Sequence, residues 1–221
     1  ARVAAAVKLH RHIGRRRAAR FLAEGPNLVE AALRRGLVSE VFATESASAR
    51  FGAMLNHVPV HLVTDRAAKA LSDTVTPVGI VAGCSVPEVG RADVIADGPR
   101  LVAVAVAISE PGNAGTLIRI ADAMGADAVV LAGHSVDPYN GKCLRASAGS
   151  IFSMAGGLDA GGASVVGTLR DAGVQVVGTT GEGEVRIDDA ELGGGRGGRG
   201  GGAAHGPAKE NVGVFTTRVR P

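Results

Sequence analysis

The chain has 221 residues, 46% of them hydrophobic, which is enough for one large or two small domains and too apolar for a disordered tail. Tryptophan is absent and aromatics make up 3%, which argues against an RNA-binding platform that stacks bases on exposed rings. A net charge of +3 and a pI near 9.2 suit a polyanionic partner.

Taken in chain order, Ala1 to Leu9 is helix-prone. His10 to Arg20 reads HRHIGRRRAAR. So dense a block of like charge repels itself without a counter-charge, and it predicts a phosphate-contacting surface. Phe21 to Gly25 reads as a short strand entering a turn. Pro26 suits a first helical position, and Asn27 to Arg35 reads as a helix that Gly36 closes. Leu37 to Ala43 and Val58 to Val63 alternate like strands, and Thr64-Asp65 can cap a helix running to Leu71. Gly79 to Ala82 is a further strand. Strands alternating with helices predict a small α/β layer domain over residues 1–90. Val86 to Arg100 carries Pro87, Gly90, Gly98 and Pro99, and it predicts a linker centred on 91–99.

The pattern restarts at residue 100. Residues 101–108, LVAVAVAI, read as a strand at the centre of a parallel sheet. Thr116 to Met124 reads as a helix ended by Gly125, and Ala128 to Leu131 as a second strand parallel to the first. Asn140 to Phe152 includes a short helix. Ser164 to Ala172 is a helix closed by Gly173, and Val174 to Val177 a third strand. After Leu192 the character changes: residues 193–202 read GGGRGGRGGG, and the tail to Pro221 holds one possible strand, Asn211 to Thr216. Residues 193–221 therefore read as aberrant or disordered.

Two cysteines, Cys84 and Cys143, have no metal-like spacing and read as free thiols of a reducing compartment. No apolar run reaches the ~18 residues that span a bilayer, and no signal peptide precedes the basic block. The expectation is a cytoplasmic protein that does not enter membranes. His57 and His61 are four apart, but Pro59 between them argues against a helical metal pair, and His10 and His12 lack partners at ligand spacing. No metal site is expected. Gly195, Gly197 and Gly200 formally match a dinucleotide fingerprint, yet no helix follows and glycine repeats give the pattern by chance. The Arg-Gly-Gly units at Arg196 and Arg199 read as low-complexity linker.

The chemistry concentrates after the first strand of the second half. Ligands on parallel sheets sit at the carboxyl ends of strands. There, Glu110-Pro-Gly-Asn113 predicts a turn, Asn113 offers amide donors and an acceptor, and Gly115 lets the next helix come close. The helix start offers free N–H groups to an anion, and Arg119 follows about one turn past Gly115. A second cluster, Lys142 to Ser150, places Arg145, Ser147 and Gly149 in a loop or short helix.

These segments resemble the SpoU (TrmH-type, SPOUT superfamily) RNA ribose 2'-O-methyltransferases. In that family a strand ends in a D/E-P-x-N-x-G turn before an arginine-bearing helix, here Glu110-Pro-Gly-Asn113-Ala-Gly115 with Arg119. The family's second motif is an arginine followed by S-x-G, here Arg145-Ala-Ser147-Ala-Gly149. Arg16 to Glu30, with Phe21-Leu-Ala-Glu24-Gly25, resembles the L30e-like RNA-binding domain that often precedes such enzymes. The resemblance covers roughly residues 8 to 192 and is nearest to the actinobacterial branch of thiostrepton-resistance 23S rRNA methyltransferases.

The resemblance implies an L30e-like α/β domain followed by a parallel-sheet α/β methyltransferase domain of the trefoil-knot type. It implies methyl transfer from S-adenosylmethionine to a ribose 2'-hydroxyl of RNA, most naturally 23S rRNA, by a homodimer. By analogy Asn113, Arg119, Arg145 and Ser147 form the catalytic set around one cleft. Gly178, Thr179, Thr180, Gly202 and Gly206 hold the cofactor. Arg11, Arg15, Arg16, Arg17, Arg20, Glu24 and Asn27 meet RNA.

The chain departs from the family at the third motif. The nearest match to its G-N-E-x-x-G loop is Gly202-Ala203-Ala204-His205-Gly206, with alanine in place of the glutamate, and no Ser-Leu-Asn follows. The abrupt change reads as an alteration of frame after about residue 192, with weak cofactor binding as its consequence. The alternative is an RNA-binding protein of the same fold without catalysis. An unrelated nucleotide-binding α/β domain ranks third, because no phosphate loop is present.

Overall fold

The computed structural model describes residues 1–87, 98–159, 162–178 and 212–217. It divides into two compact units, Ala1–Glu88 with Tyr139–Phe152, and Val89–Pro138 with Ser153–Pro221.

The first unit is built on a four-stranded sheet in the order β1-β4-β2-β3, with β1 at Arg20–Glu24, β2 at Val38–Ala43, β3 at Val60–Leu62 and β4 at Ile80–Ser85. Strand β4 runs antiparallel to both β1 and β2, and β3 runs parallel to β2. Alternation along the strands sends side chains to opposite faces. Phe21, Ala23, Val41, Ala43, Ile80, Ala82 and Cys84 share one core, while Leu22, Phe42 and Val81 join another. The first core is covered by Leu28, Val29 and Ala32 of helix α3 (Pro26–Arg34), and by Leu144 and Phe152. The second is covered by Ala6 of helix α1 (Arg2–Val7), Leu9 and Leu71. Each fully buried large side chain contributes on the order of 1.5–3 kcal/mol.

Local chemistry sets the helices. The basic block holds helix α2 (His12–Ala18), which ends at Ala19 with φ 48°. Pro26 opens α3 as expected. Thr64 caps helix α5 (Asp65–Leu71) by accepting the Ala67 N–H. Helix α4 (Glu45–Phe51) has no counterpart in the sequence reading. It begins because Thr44 Oγ1 accepts the Ala47 N–H at 3.2 Å.

The second unit holds a five-stranded sheet in the order β7-β6-β5-β9-β8: β5 Leu101–Val106, β6 Ala128–Ala132, β7 Ala155–Asp159, β8 Gln175–Gly178 and β9 Val212–Thr217. Strands β5, β6 and β7 are parallel, with Val104 opposite Val130. Strand β9 runs antiparallel to both β5 and β8, which leaves β8 parallel to β5. The core joins Val102, Val104, Ala128, Val130 and Ala132 to Leu169 of helix α8 (Gly162–Asp171) and to Val174. Strand β7 was missed in the sequence because Gly156 and Gly157 weaken its strand signal. The strand expected at 211–216 lies one residue later and is a sheet member; the remaining tail falls outside the described residues. The central part of the expected linker, residues 88–97, does too.

One boundary corrects the sequence reading. Helix α6 spans Pro111–Ala123 and starts five residues before the expected Thr116. What read as a turn at residues 110–113 is a cap and a first helical turn. Glu110 is the N-cap and accepts the Gly112 N–H at 3.0 Å, and Pro111 takes the first helical position.

Candidate active site

The carboxyl end of β5 is laced to that of β6. Ala107, at φ 56°, donates its N–H to Ala132 O at 3.0 Å. The Ile108 N–H donates to Ser135 Oγ at 3.2 Å, and that hydroxyl donates to Ala132 O at 2.6 Å. Val136 N–H returns to Ile108 O at 2.8 Å. A non-glycine residue in the left-handed region persists only where its surroundings hold it, and here four hydrogen bonds do.

This brace leads straight into α6. Asn113 lies in the first turn and Arg119 about two turns on, both exposed, while Gly115 between them is buried. Six helical residues separate the two side chains by ~9 Å along the axis and about 120° around it. Among the described residues neither makes a side-chain hydrogen bond, so the expected orientation of Arg119 by Asn113 has no contact to carry it. Arg119 is a free guanidinium on a rigid helix, next to a carboxyl-end loop.

The second cluster forms helix α7 (Gly141–Ser147) of the first unit, capped by Asn140 Oδ1 accepting the Lys142 N–H at 2.9 Å. Asn113 and Arg119 belong to the other unit. Arg145 approaches Glu24 Oε2 at 3.8 Å. Ser147 is a correction: it is 0% exposed and donates its hydroxyl to Leu144 O at 2.8 Å, so it closes its own helix and does not line a pocket. Gly149 has φ 95°, and an added Cβ would lie 3.2 Å from Ala31 Cβ, so the glycine permits both the turn and the close approach to α3.

The basic block divides in two. Arg11, Arg16 and Arg17 are exposed, as is Asn27. Arg15 is a correction: it is 5% exposed and donates to Leu9 O at 3.0 Å and His10 O at 2.9 Å, tying the turn before α2. Arg20 also turns inward, donating to Ser39 Oγ and Glu40 Oε1, both at 2.7 Å. Glu24 is committed to its own unit. It accepts the Asp73 N–H at 3.0 Å, the Thr74 hydroxyl at 2.7 Å and the Ser72 hydroxyl. Helical phase buries Arg15, and the sequence carried no signal separating it from Arg16 and Arg17.

Of the expected cofactor residues, Gly178 ends β8; Thr179, Thr180, Gly202 and Gly206 lie outside the described residues. Both cysteines are buried and in no disulfide, and burial pushes the Cys84 thiol up to about 12. Among the described residues no His, Cys, Asp and Glu cluster could hold a metal.

The segment that carries β5, α6 and Arg119 matches a family model. Residues 100–196 match the SpoU rRNA Methylase family, and residues 1–82 match an MRM3-like substrate binding domain. The chain therefore carries a SpoU methylase domain. It is 38% identical over 149 residues to the 23S rRNA (guanosine(2553)-2'-O)-methyltransferase RlmP of Bacillus subtilis, an alignment covering 66% of this chain and 57% of that protein. A shorter stretch of 46 residues is 50% identical to the 23S rRNA (uridine(2479)-2'-O)-methyltransferase of Streptomyces viridochromogenes, covering 21% of this chain and 16% of that one. Among solved SpoU folds, the AviRb methyltransferase of Streptomyces viridochromogenes in complex with AdoMet superposes with a TM-score of 0.68 at 26% identity, covering 79% of this chain and 69% of that one. An RNA 2'-O ribose methyltransferase gives 0.61 at 27% identity, covering 78% and 67%. The chain spans 57% and 54% of the length of the first two curated relatives it matches.

Proposed function

We propose that this chain transfers a methyl group from S-adenosylmethionine to a ribose 2'-hydroxyl of RNA, with 23S ribosomal RNA as the substrate. One observation carries the reading: the exposed, unpaired Arg119 follows a braced carboxyl-end loop in the segment that matches the SpoU model.

The described part of the cofactor site fits such a group. Gly178 ends a strand parallel to β5, and among the described residues a Cβ added there would meet nothing within 4 Å, which leaves room for a ligand beside it. Gly178 would hold the cofactor together with Thr179, Thr180, Gly202 and Gly206. When bound, S-adenosylmethionine supplies a methyl on a sulfonium, ready for an oxygen nucleophile.

The protein's own contribution is positioning and charge. The 2'-oxygen forms its bond to carbon as the carbon–sulfur bond breaks, and the hydroxyl proton must leave. Arginine, with a pKa above ~12, is a poor base. The role of Arg119 is to grip the target phosphate and stabilise the negative charge growing on the ribose oxygen, with the proton passing to that phosphate. Asn113 contacts the RNA from the first turn of α6, and Arg145 of the first unit is a second cation for that RNA. Arg11, Arg16, Arg17 and Asn27 contact RNA from the first unit, which supplies substrate binding.

Relatives acting on ribosomal RNA support work in the cytoplasm, and the family resemblance supports a homodimer. Among the described residues no helix is long and apolar enough to cross a membrane. Light scattering coupled to size exclusion tests the dimer.

The deciding experiment is transfer of a tritiated methyl group to total ribosomal RNA. Incorporation that is lost in Arg119→Ala is expected; no incorporation, or equal incorporation by the variant, overturns the proposal. The alanine that stands in place of the family's glutamate within Gly202–Gly206 favours one second reading, RNA binding without transfer. Titration calorimetry with S-adenosylmethionine separates the two, since micromolar binding favours the enzyme.

A further inference from the structure

Glu24 and Arg145 come from opposite ends of the first unit's sequence, one from the strand after the basic block and one from the second motif. Their closest approach is 3.8 Å, with Glu24 about one-tenth exposed and Arg145 about one-third. We infer that Glu24 is a positioning residue for Arg145, setting the direction of its guanidinium, and that it is not an RNA contact. This inference rests on the proposed methyl transfer and adds a residue to it.

Three observations support the assignment. First, Glu24 is itself immobilised. Its Oε1 accepts from Thr74 and Ser72, and its Oε2, the atom nearest Arg145, accepts the Asp73 N–H at 3.0 Å. A carboxylate held by three donors is a fixed charge, and it orients an arginine without losing its own freedom at that moment. Second, the space around Arg145 is kept by a glycine. A Cβ at Gly141 would lie 3.3 Å from Arg145 Nη1 and 2.6 Å from Asp73 Oδ2, so a side chain there would push both away. Third, the second motif is docked on the same unit at other points. Tyr139 and Phe152 stack around Phe21 at centroid distances of 4.7 and 5.8 Å, and Leu144 and Phe152 lie in the core shared with Phe21 and Ala23.

His10, Arg15 and Asp73 line the same cleft as Glu24 and Arg145. His10 pairs with Asp73 at 3.1 Å, and among the described residues Glu24 is the carboxylate that pairs with Arg145, at 3.8 Å. Removing its charge while keeping its shape therefore loosens the guanidinium first.

The test compares the intact chain with Glu24→Gln, Arg145→Lys, the double variant and Thr74→Val in steady-state methyl transfer to ribosomal RNA. A misplaced cation costs rate, so Glu24→Gln is expected to lower kcat by about tenfold and leave KM for RNA within about twofold. The double variant is expected to be no worse than the poorer single variant, because both remove one arrangement. Thr74→Val removes one of the three hydrogen bonds to Glu24 and keeps its charge, so kcat should fall much less than in Glu24→Gln. Wild-type kcat in Glu24→Gln, a rise in KM alone, or an equal fall in Thr74→Val each overturns the inference while leaving methyl transfer standing. No transfer by the wild-type chain overturns the functional reading itself.

Discussion

The Ile108 amide donates to the hydroxyl of Ser135, which in turn donates to the carbonyl of Ala132. One side chain thus ties the exits of two parallel strands and fixes the start of the helix that bears Asn113 and Arg119. Ser135→Ala leaves the Ile108 amide without its partner, and such a loss costs about 1–3 kcal/mol. Urea unfolding should show that decrease with an unchanged slope, and Ser135→Thr should restore most of it.

Arg119→Ala should abolish methyl transfer and largely spare cofactor affinity. Arg119→Lys keeps the charge but loses the planar fork, so its activity should fall between the two. Single-turnover transfer and calorimetry measure the two effects separately. A variant that turns over like the wild type would refute the role.

The arginines of the basic block should separate by function. Arg15→Ala removes a buried guanidinium and strands the carbonyls of Leu9 and His10, so thermal unfolding should occur at a clearly lower temperature. Arg16→Ala and Arg17→Ala should leave the unfolding temperature nearly unchanged. They should weaken RNA binding and reduce its salt dependence by roughly one counterion each. Filter binding across a salt series distinguishes the groups.

Cys84 makes the chain sensitive to alkali. Burial raises its thiol from 9.0 to about 12 in the folded state. A proton held more tightly in the folded form stabilises it below the unfolded value and ceases to do so as pH rises through the folded one. Stability should therefore fall between pH 9 and about 12, and Cys84→Ala should flatten that decline. Below pH 9 the thiol should resist modification until the chain unfolds.

Several helices and most strands were legible where local chemistry decides, while α2 and α4 were not. Thr64 caps α5, Pro26 opens α3, and alternation from Phe21 to Glu24 sorts two cores. The first motif was legible as a constellation, yet its helix begins at Pro111, because a proline after a capping acid starts a helix as readily as it makes a turn. Strand β7 was hidden by its glycines, since pairing with β6 is a tertiary event. The roles of Arg15, Glu24 and Ser147 were hidden for a different reason. A residue type announces what chemistry it can do, and only packing decides whether that chemistry is turned outward or spent on neighbouring backbone and side-chain groups.

Strand β9 has one further consequence. It lies between β5 and β8, and among the described residues it is the ladder partner through which β8 joins the sheet. During synthesis the β5, β6 and β7 ladders can form as soon as they leave the ribosome, while β8 must wait for residues 212–217 to be made. The second unit therefore completes its folding late, and a chain stalled before that point exposes a bare strand edge of the kind that chaperones hold.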